Sequence, residues 1–250
     1  MSRTILIVCA LADEAKHFSM AIEDMSKQDT SETGAVFEVL QTGLGVDRIN
    51  DKLNQSCREL PAAILVAGTA GSVNAEYNAG DIVIFRSATD GSERSLPLSN
   101  DWTNKLNSAL SRLHPKTGIT FTSPDAVTSP QAKSALRAKY QVDCVDMETA
   151  TIIKFANEQK IPVAAFRIIV DPHDQAIPPA ALVGLREDGT TNVMSTIFFL
   201  LKQPQHLLQI LSLGSQYRQA MKTLSEAAKL LTNFMSNSCP PDTLNYEPID

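Results

Sequence analysis

The sequence has few cysteines and no close pair of them. The four cysteines, Cys9, Cys57, Cys144 and Cys239, are widely separated and lack the C-x-x-C spacing of zinc and redox sites. Cys9 and Cys144 lie in apolar stretches typical of strands. We therefore expect free, buried thiols in a reducing compartment and not a disulfide framework.

The sequence also lacks any cluster of lysines and arginines. It contains 22 Lys and Arg residues against 28 Asp and Glu residues, for a net charge of −6. Proteins that bind a phosphate backbone usually carry a basic patch, so nucleic acid is not an expected partner. A small, nearly neutral ligand fits this composition better.

No apolar run is long enough to cross a membrane. The run TILIVCALA is followed at once by the charged DEAK, which also differs from a signal-peptide cleavage site. We expect an unprocessed, cytoplasmic chain. With 250 residues, 43% of them apolar, and no internal repeat or long linker, the sequence predicts a single domain over residues 1–250.

Several catalytic signatures are missing. There is no G-x-G-x-x-G, no G-K-[ST] and no G-x-S-x-G, so dinucleotide sites, P-loops and α/β-hydrolase triads are unsupported. The histidines, His17, His114, His173 and His206, are dispersed, which argues against a metal centre. We expect no metal and no organic cofactor.

What the sequence does contain is an alternation of short β-branched runs with longer helical patterns, which is typical of an α/β fold with a mostly parallel, helix-covered sheet. Residues after about 190 form an unusually apolar helical extension, and an irregular tail starts at about 236. Predicted strands cover residues 4–10, 36–42, 63–67, 81–85, 119–122, 142–145 and 163–170, and predicted helices 13–25, 47–59, 102–113, 130–140 and a segment opening at CVDMETA.

Polar or glycine-rich segments follow five of these strands. In open α/β sheets ligands bind beyond the carboxyl ends of strands, so these segments are expected to meet at one rim. The glycines allow backbone amides to approach a sugar or an anion closely. The candidates are Glu14 in ALADEAK, Gly43 and Gly45 in TGLGVDR, Gly68, Thr69 and Gly71 in AGTAGS, Glu148 in DMETA, and Asp171 in VDPHD.

The segment CVDMETA places two carboxylates around a methionine at a strand–helix junction. Capping of the helix explains one acid, and Asp146 is the natural choice. Glu148 is then available to accept hydrogen bonds from the vicinal hydroxyls of a ribose, with the Met147 thioether packed on the sugar. Capping by both acids remains the alternative.

Arg167 and Asp171 lie on the same face of the strand VAAFRIIV and its end. They are too far apart, at roughly 13 Å, to form a simple ion pair. A buried arginine needs a carboxylate partner, and Glu14 is the expected one; a purely structural pair is the alternative.

Together, ALADEA, TGLG, AGTAGSVNAEYNAGDIVI, VDMETATI and PVAAFRIIVD resemble the nucleoside phosphorylase and methylthioadenosine/S-adenosylhomocysteine nucleosidase superfamily over residues 4 to 175. The resemblance implies a three-layer α/β/α sandwich around a mixed, twisted sheet, commonly assembled as a homodimer or larger. It also implies cleavage of the N-glycosidic bond of a purine nucleoside.

The resemblance also implies roles for individual residues. Met147 and Glu148 would hold the ribose, and Asp171 would protonate N7 of the departing purine. Glu14 would activate the attacking water, helped by Thr69 and Arg167. Burial beside Val170 and Pro172 would keep the Asp171 carboxyl protonated.

A narrower resemblance covers VDPHDQAIPPAALVGLREDGTTNVMSTIFFLLKQPQHLLQIL, which is similar to the hopanoid-biosynthesis-associated phosphorylases. It implies adenosylhopane as substrate, with the apolar stripes FFLL and LLQIL near its lipid. Packing of these stripes in the core or in a dimer interface is the alternative. Peripheral membrane contact through the apolar helix is a further hypothesis.

The sequence departs from the family in three places. The residues before GTAGS include no arginine to grip phosphate, which weakens phosphorolysis, although inorganic phosphate stays open as a co-substrate. Val127 stands near the phenylalanine that stacks on adenine in nucleosidases, and Val170 replaces a serine before the catalytic aspartate. The alternatives to adenosylhopane cleavage are a methylthioadenosine-type nucleosidase, a phosphate-dependent phosphorylase and a non-enzymatic nucleoside-binding protein.

Overall fold

The structure is a computed structural model. It describes residues 4–28, 35–92, 95–179, 181, 186, 188–190 and 207–238. Much of the predicted helical extension, the FFLL stripe, Cys239 and the tail from 239 lie outside these residues.

Eight strands and six α-helices are described, together with a short 3-10 helix at Ser111–Leu113. The strands are β1 (Thr4–Cys9), β2 (Val36–Gln41), β3 (Ala63–Ser72), β4 (Ile82–Thr89), β5 (Leu96–Pro97), β6 (Lys116–Thr122), β7 (Cys144–Asp146) and β8 (Val163–Asp171). The helices are α1 (Ala12–Gln28), α2 (Val46–Ser56), α3 (Asn100–Ala109), α4 (Pro130–Tyr140), α5 (Thr149–Glu158) and α6 (Leu207–Ser238).

The strands form one mixed sheet that partly closes on itself. Parallel pairs join β1 to β2 and β3, β3 to β8, and β6 to β4 and β7. Antiparallel pairs join β4 to β5 and β8, and β3 to β7. The pairs β3–β8, β8–β4, β4–β6, β6–β7 and β7–β3 therefore close a ring, to which β1, β2 and β5 are attached.

Helices cover the sheet on both sides, as the alternation in the sequence predicts. On one side α1, α3 and α6 pack against the sheet, and Ile5 and Ile7 of β1 face them. On the other side α2 and α5 pack against Leu6 and Val8 of the same strand. Successive side chains of a strand point to opposite faces, so β1 reads as a continuous apolar run because both faces are buried. The predicted α/β/α arrangement around a mixed sheet is confirmed.

The predicted elements are found with shifted ends, and two differences matter. The prediction placed a glycine-rich turn after residue 67, but β3 continues to Ser72. Pairing with β8 supplies the backbone hydrogen bonds that keep this glycine-rich segment extended, as far as the register shift between Ala70 and Gly71. The two-residue strand β5 was not predicted, because so short a run has no period.

Helix α6 has two different halves. Ala220, Leu224, Ala228 and Leu231 recur at helical spacing and are buried against α1 and the sheet. Residues nearer its start face the cavity described below. In the described part of the chain, no helix is long and apolar enough to span a membrane.

Two leucines of α6 allow the core packing to be tested. Leu224 is 0% exposed and Leu211 is 59% exposed. We expect Leu224→Ala to lower the free energy of unfolding by about 2–5 kcal/mol, because it leaves a cavity in the core. Leu211→Ala, the matched control on the same helix, should change it by less than about 0.5 kcal/mol. Urea denaturation measures both, and equal effects would contradict this packing.

Candidate active site

A cavity of about 400 Å³ opens at the carboxyl ends of β1, β3, β7 and β8. Glu14, Glu148 and Asp171, which are far apart in the sequence, all line it. Thr69, Gly71, Met147 and Val127 line it as well. The sequence-based expectation that these residues meet at one rim therefore agrees with the geometry.

Asp146 caps helix α5, as predicted. Its carboxylate accepts hydrogen bonds from the backbone N–H groups of Glu148 and Thr149, at 3.2 and 3.1 Å. It also accepts hydrogen bonds from the hydroxyls of Thr120 and Thr122, at 3.1 and 2.8 Å. The Glu148 side chain makes no capping hydrogen bond and is directed into the cavity instead. The two acids thus have different roles.

The carboxylate partner of Arg167 differs from the predicted one. Its guanidinium donates to Glu148 Oε2 at 3.1 Å and lies 3.5 Å from Asp146 Oδ2, with no ion pair to Glu14. Arg167 is 1% exposed and lies behind the cavity wall. The prediction of a Glu14 partner was wrong because the side chain turns toward the start of α5, where it also donates to Thr149 Oγ1.

Glu14 is held rigidly at the start of α1. One carboxylate oxygen accepts from both the N–H and the hydroxyl of Thr69, each at 2.8 Å, and the other accepts from Leu11 N–H at 3.1 Å. Gly68 allows this approach, because a Cβ there would lie 2.7 Å from Glu14 Oε2. The carboxylate is therefore oriented by strand β3 and not by Arg167.

The surroundings of Asp171 are not simply apolar. Lys133, on α4, donates to Asp171 Oδ2 at 2.5 Å and to the carbonyls of Pro172 and Gln175. The predicted environment of Val170 and Pro172 missed this ammonium. Nothing in PQAKSALRAKY distinguishes a buried lysine from the helix's exposed ones, so the sequence carries no signal for it.

The TGLG glycines shape a loop and do not line the cavity. Gly43 and Gly45 have φ angles of 74° and 94°, which favour glycine. Leu44, between them, is the residue that faces the cavity. The N–H of Gly43 donates to the Ala10 carbonyl at 3.1 Å, so it is not free to hold an anion.

Apolar side chains form most of the remaining wall, and the sequence pointed to only a few of them: Val127, Val170 and the LLQIL stripe that contains Ile210. Val127 and Ile177 lie on neighbouring segments of the wall, where the Ile177 N–H donates to the carbonyl of Thr128 at 2.8 Å, whereas Val170 packs with side chains of α1 and α6. On the other side the wall is contributed by Leu11 and Leu44 and by the α6 residues Ile210, Leu213, Gly214 and Tyr217. The Tyr217 hydroxyl donates to Asp13 at 3.3 Å, which fixes α6 beside α1.

Burial raises the pKa of three of the carboxyls that line the cavity, those of Glu14, Glu148 and Asp171. For Glu148 it raises the pKa to about 7, against the lowering effect of Arg167 and with repulsion from Asp146 and Glu14. For Glu14 burial also outweighs the effects of Arg167 and the hydrogen bonds. The Asp171 pKa is raised by burial and lowered in part by Lys133. Burial thus favours the protonated form of each of these carboxyls, and for Glu148 it brings the change of protonation close to neutral pH.

Comparison with known families agrees with this geometry. The family model described as the phosphorylase superfamily matches residues 4–197. The chain belongs to the phosphorylase superfamily. This confirms the resemblance inferred from the motifs and the expectation of an enzyme. The superfamily match leaves open whether phosphate or water is the nucleophile.

Solved structures with the same fold come from the nucleosidases of this superfamily. One is the 5′-methylthioadenosine/S-adenosylhomocysteine nucleosidase of Neisseria meningitidis with methylthio-immucillin-A (13% identity, TM-score 0.66, covering 92% of this chain and 98% of that one). The Helicobacter pylori enzyme with butyl-thio-DADMe-Immucillin-A (14%, 0.65, 95% and 99%) is similar. So is the futalosine hydrolase of Helicobacter pylori (14%, 0.63, 92% and 97%). No curated protein sequence matches the chain.

The raised pKa of Glu148 predicts how stability depends on pH. Because its folded pKa lies above the unfolded value of 4.5, the folded protein binds more protons between pH 4.5 and about 7. Stability should therefore fall as pH rises through this range, and Glu148→Gln should flatten the fall by up to about 3 kcal/mol. Urea denaturation of both proteins at pH 4.5 and 8 measures it, and parallel curves would contradict the raised pKa.

Proposed function

We propose that the protein hydrolyses the N-glycosidic bond of an adenine ribonucleoside and releases the free base. The observation that carries this proposal is the convergence of Glu14, Glu148 and Asp171 on one cavity large enough for a nucleoside. Each carboxyl matches one requirement of the reaction: a base for the nucleophile, an anchor for the ribose and an acid for the leaving group.

Asp171 is proposed as the general acid that protonates the departing base. The electron pair of the C1′–N9 bond moves onto the purine, which is a poor leaving group unless N7 is protonated. A positioned carboxylic acid can accelerate such a step by about 10²–10⁴-fold. Burial favours the protonated carboxyl of Asp171, which supports this role. Val127 and Ile177, whose segments are joined by the hydrogen bond between Ile177 N–H and Thr128, are proposed as the apolar surface for the base.

Glu148 and Met147 are proposed to bind the ribose. Glu148 Oε2 is bound to Arg167, which fixes the carboxylate and leaves acceptor capacity for the 2′-hydroxyl. Met147 is partly buried and offers a thioether to the apolar edge of the sugar. This arrangement supports the expectation from the DMETA motif and extends it by giving Arg167 the task of orienting Glu148.

Water fits the cavity better than phosphate as the nucleophile. Among the described residues that line the cavity, none is a lysine or an arginine, whereas four carry buried carboxyls: Glu14, Asp146, Glu148 and Asp171. The N–H groups of Thr69 and Gly43 already have protein acceptors. An anion would meet repulsion here, while Glu14 is oriented to take a proton from water. No metal or organic cofactor enters this proposal.

The substituent on the 5′ carbon of the ribose is proposed to be apolar. With the base near Asp171 and the ribose between Glu14 and Glu148, the wall made of Leu11, Leu44 and the start of α6 is left for this group. Its chemistry supports a nucleoside with a large hydrocarbon substituent, of which adenosylhopane in hopanoid biosynthesis is the specific candidate. A protein acting on such a lipid would work at a membrane surface, and we propose a homodimer or larger assembly.

The deciding assay is release of adenine from adenosine and 5′-alkylthioadenosines, with and without inorganic phosphate. We expect ribose products without phosphate. Asp171→Asn should lower kcat by about 10²–10⁴-fold while leaving the dissociation constant within about threefold, since the acid acts on the leaving group. Glu14→Gln should lose at least about 10²-fold in kcat.

Three outcomes would contradict the proposal. Formation of ribose 1-phosphate would assign the phosphorylase reaction. Full activity of Asp171→Asn would remove its role as the acid. Tight binding of the nucleoside without release of the base would indicate a binding protein instead.

Two leucines of α6 allow a test of whether the apolar wall binds the 5′ substituent. Leu213 lines the cavity, whereas Leu211 is exposed. Leu213→Asp should raise KM for octylthioadenosine by at least about tenfold, since burying a leucine side chain is worth about 1.5–3 kcal/mol. It should change KM for adenosine by less than threefold. Leu211→Asp is the matched control, and equal effects on both substrates would contradict the assignment.

A further inference from the structure

Lys133 is a buried lysine whose three ammonium hydrogens all have protein acceptors. Its side chain is 0% exposed, and Nζ lies 2.5 Å from Asp171 Oδ2, 2.7 Å from the Pro172 carbonyl and 3.1 Å from the Gln175 carbonyl. A charged ammonium has three donors, so this site satisfies it completely. The cation is therefore held in place without solvent.

Lys133 lies in the first turn of helix α4. Ser129 caps the helix through the N–H of Ala132, and Pro130 occupies the first turn. Lys133 is buried on the inner side, whereas Lys139 of the same helix is exposed and lies over the ring of Tyr140. Burial of Lys133 is thus a property of this position and not of the helix as a whole.

Stabilisation of the fold does not by itself explain this buried ion pair. The ammonium does tie α4 to the segment after β8, through Pro172 and Gln175. However, the desolvation cost of a buried pair often equals or exceeds its attraction, and apolar residues of similar size can replace such pairs without loss. The partner here is also a buried carboxyl of the cavity lining, the one proposed as the acid.

We propose that Lys133 is a positioning residue for departure of the base: its ammonium holds Oδ2 of Asp171 and stabilises the carboxylate that forms as Asp171 gives up its proton. This inference rests on the proposed function and deepens it. In the step, the proton leaves the other oxygen of Asp171 and binds N7, while the C1′–N9 electron pair stays with the purine. The oxygen of water then forms a bond to C1′ of the ribosyl cation, and a proton of that water goes to Glu14.

Two opposing effects set the acidity of Asp171. Burial raises its pKa and Lys133 lowers it. An acid works best when its pKa lies near the operating pH, and Lys133 offsets part of the rise in the pKa of Asp171 that burial causes. A fixed cation beside the developing negative charge also lowers the barrier without any rearrangement during the reaction.

Other ionisable groups near Asp171 are not placed to do this. The Cys144 thiol on β7 has a pKa raised well above its usual value by burial, so it stays neutral. Asp125, on the loop after β6, is exposed at the cavity rim. His173 lies 3.8 Å from Asp174, and both are open to solvent, so water screens them.

The test is the pH profile of kcat for Lys133→Gln and Lys133→Met. Asp171 is active when protonated, so kcat falls as pH rises through its pKa. Loss of the ammonium raises that pKa, and the alkaline limb should move up by about 1–3 pH units. The plateau of kcat should fall by about 10²-fold with KM within threefold, because a developing charge has lost its partner. Lys139→Gln is the matched control and should leave the profile unchanged.

A double variant separates this role from simple loss of structure. If Lys133 acts through Asp171, adding Lys133→Gln to Asp171→Asn should leave the residual kcat within twofold in assays with enzyme in excess over substrate. If Lys133→Gln alone does not fold, the comparison of Asp171→Asn with the double variant can still be made, because the double variant removes both charges of the buried pair. Losses that multiply would overturn the proposal.

Two negative results can be told apart. Base release by the wild-type protein together with an unshifted profile in folded Lys133→Gln would overturn the role of Lys133 and leave the proposed function intact. Absence of base release by the wild-type protein would contradict the proposed function and this role with it.

Discussion

The site depends on the contacts that the buried guanidinium of Arg167 makes with the surrounding carboxylates. It lies in the interior of the sheet, 3.1 Å from Glu148 and 3.5 Å from Asp146, and its positive charge also acts on Glu14. Buried carboxylates repel one another and lose hydration, so a group of them needs a cation at its centre. Arg167 provides it from β8, whose end carries Asp171. One strand therefore supplies both the central cation and the proposed acid.

A second cation, Lys133, serves the other end of the cavity. Arg167 is spread over several acceptors and lies behind the wall, whereas Lys133 holds one carboxylate oxygen at 2.5 Å. A guanidinium stays charged and suits a fixed network, while an ammonium is a compact point charge. In the proposed reaction, the two cations thus divide the carboxyls into a set that binds sugar and water and one that handles the proton of the base.

Much of this could be predicted from the sequence, because it depends on local pattern. The strands β1, β2 and β8, the helices α1 and α4, and the capping role of Asp146 follow from apolar periodicity and helix-start chemistry. The carboxyl-end rule also placed Glu14, Glu148 and Asp171 together.

What sequence pattern missed depends on contacts between distant segments. Lys133 pairs with Asp171, which is 38 positions away in the sequence. Arg167 donates to Glu148 at the start of α5 and not to Glu14. No local rule sets such choices, since they follow from which strands become neighbours. The two interpretations of the C-terminal helix, core packing and contact with substrate, could not be separated either. The later turns of α6 are buried in the core and its start lines the cavity, so core packing is observed and contact with substrate stays a proposal.

The glycines of AGTAGS explain why that segment resembles a turn and yet forms a strand. Gly68 and Gly71 lie on β3 where the carboxyls come closest: a Cβ at Gly68 would lie 2.7 Å from Glu14 Oε2, and one at Gly71 would lie 2.8 Å from Asp171 Oδ2. Glycine is needed here because side chains from α1 and β8 must fit against the strand's backbone. Thr69, between them, directs its hydroxyl to Glu14. Strand β3 therefore sets the spacing between the proposed base and the proposed acid, and the glycine pattern is a consequence of the site's geometry.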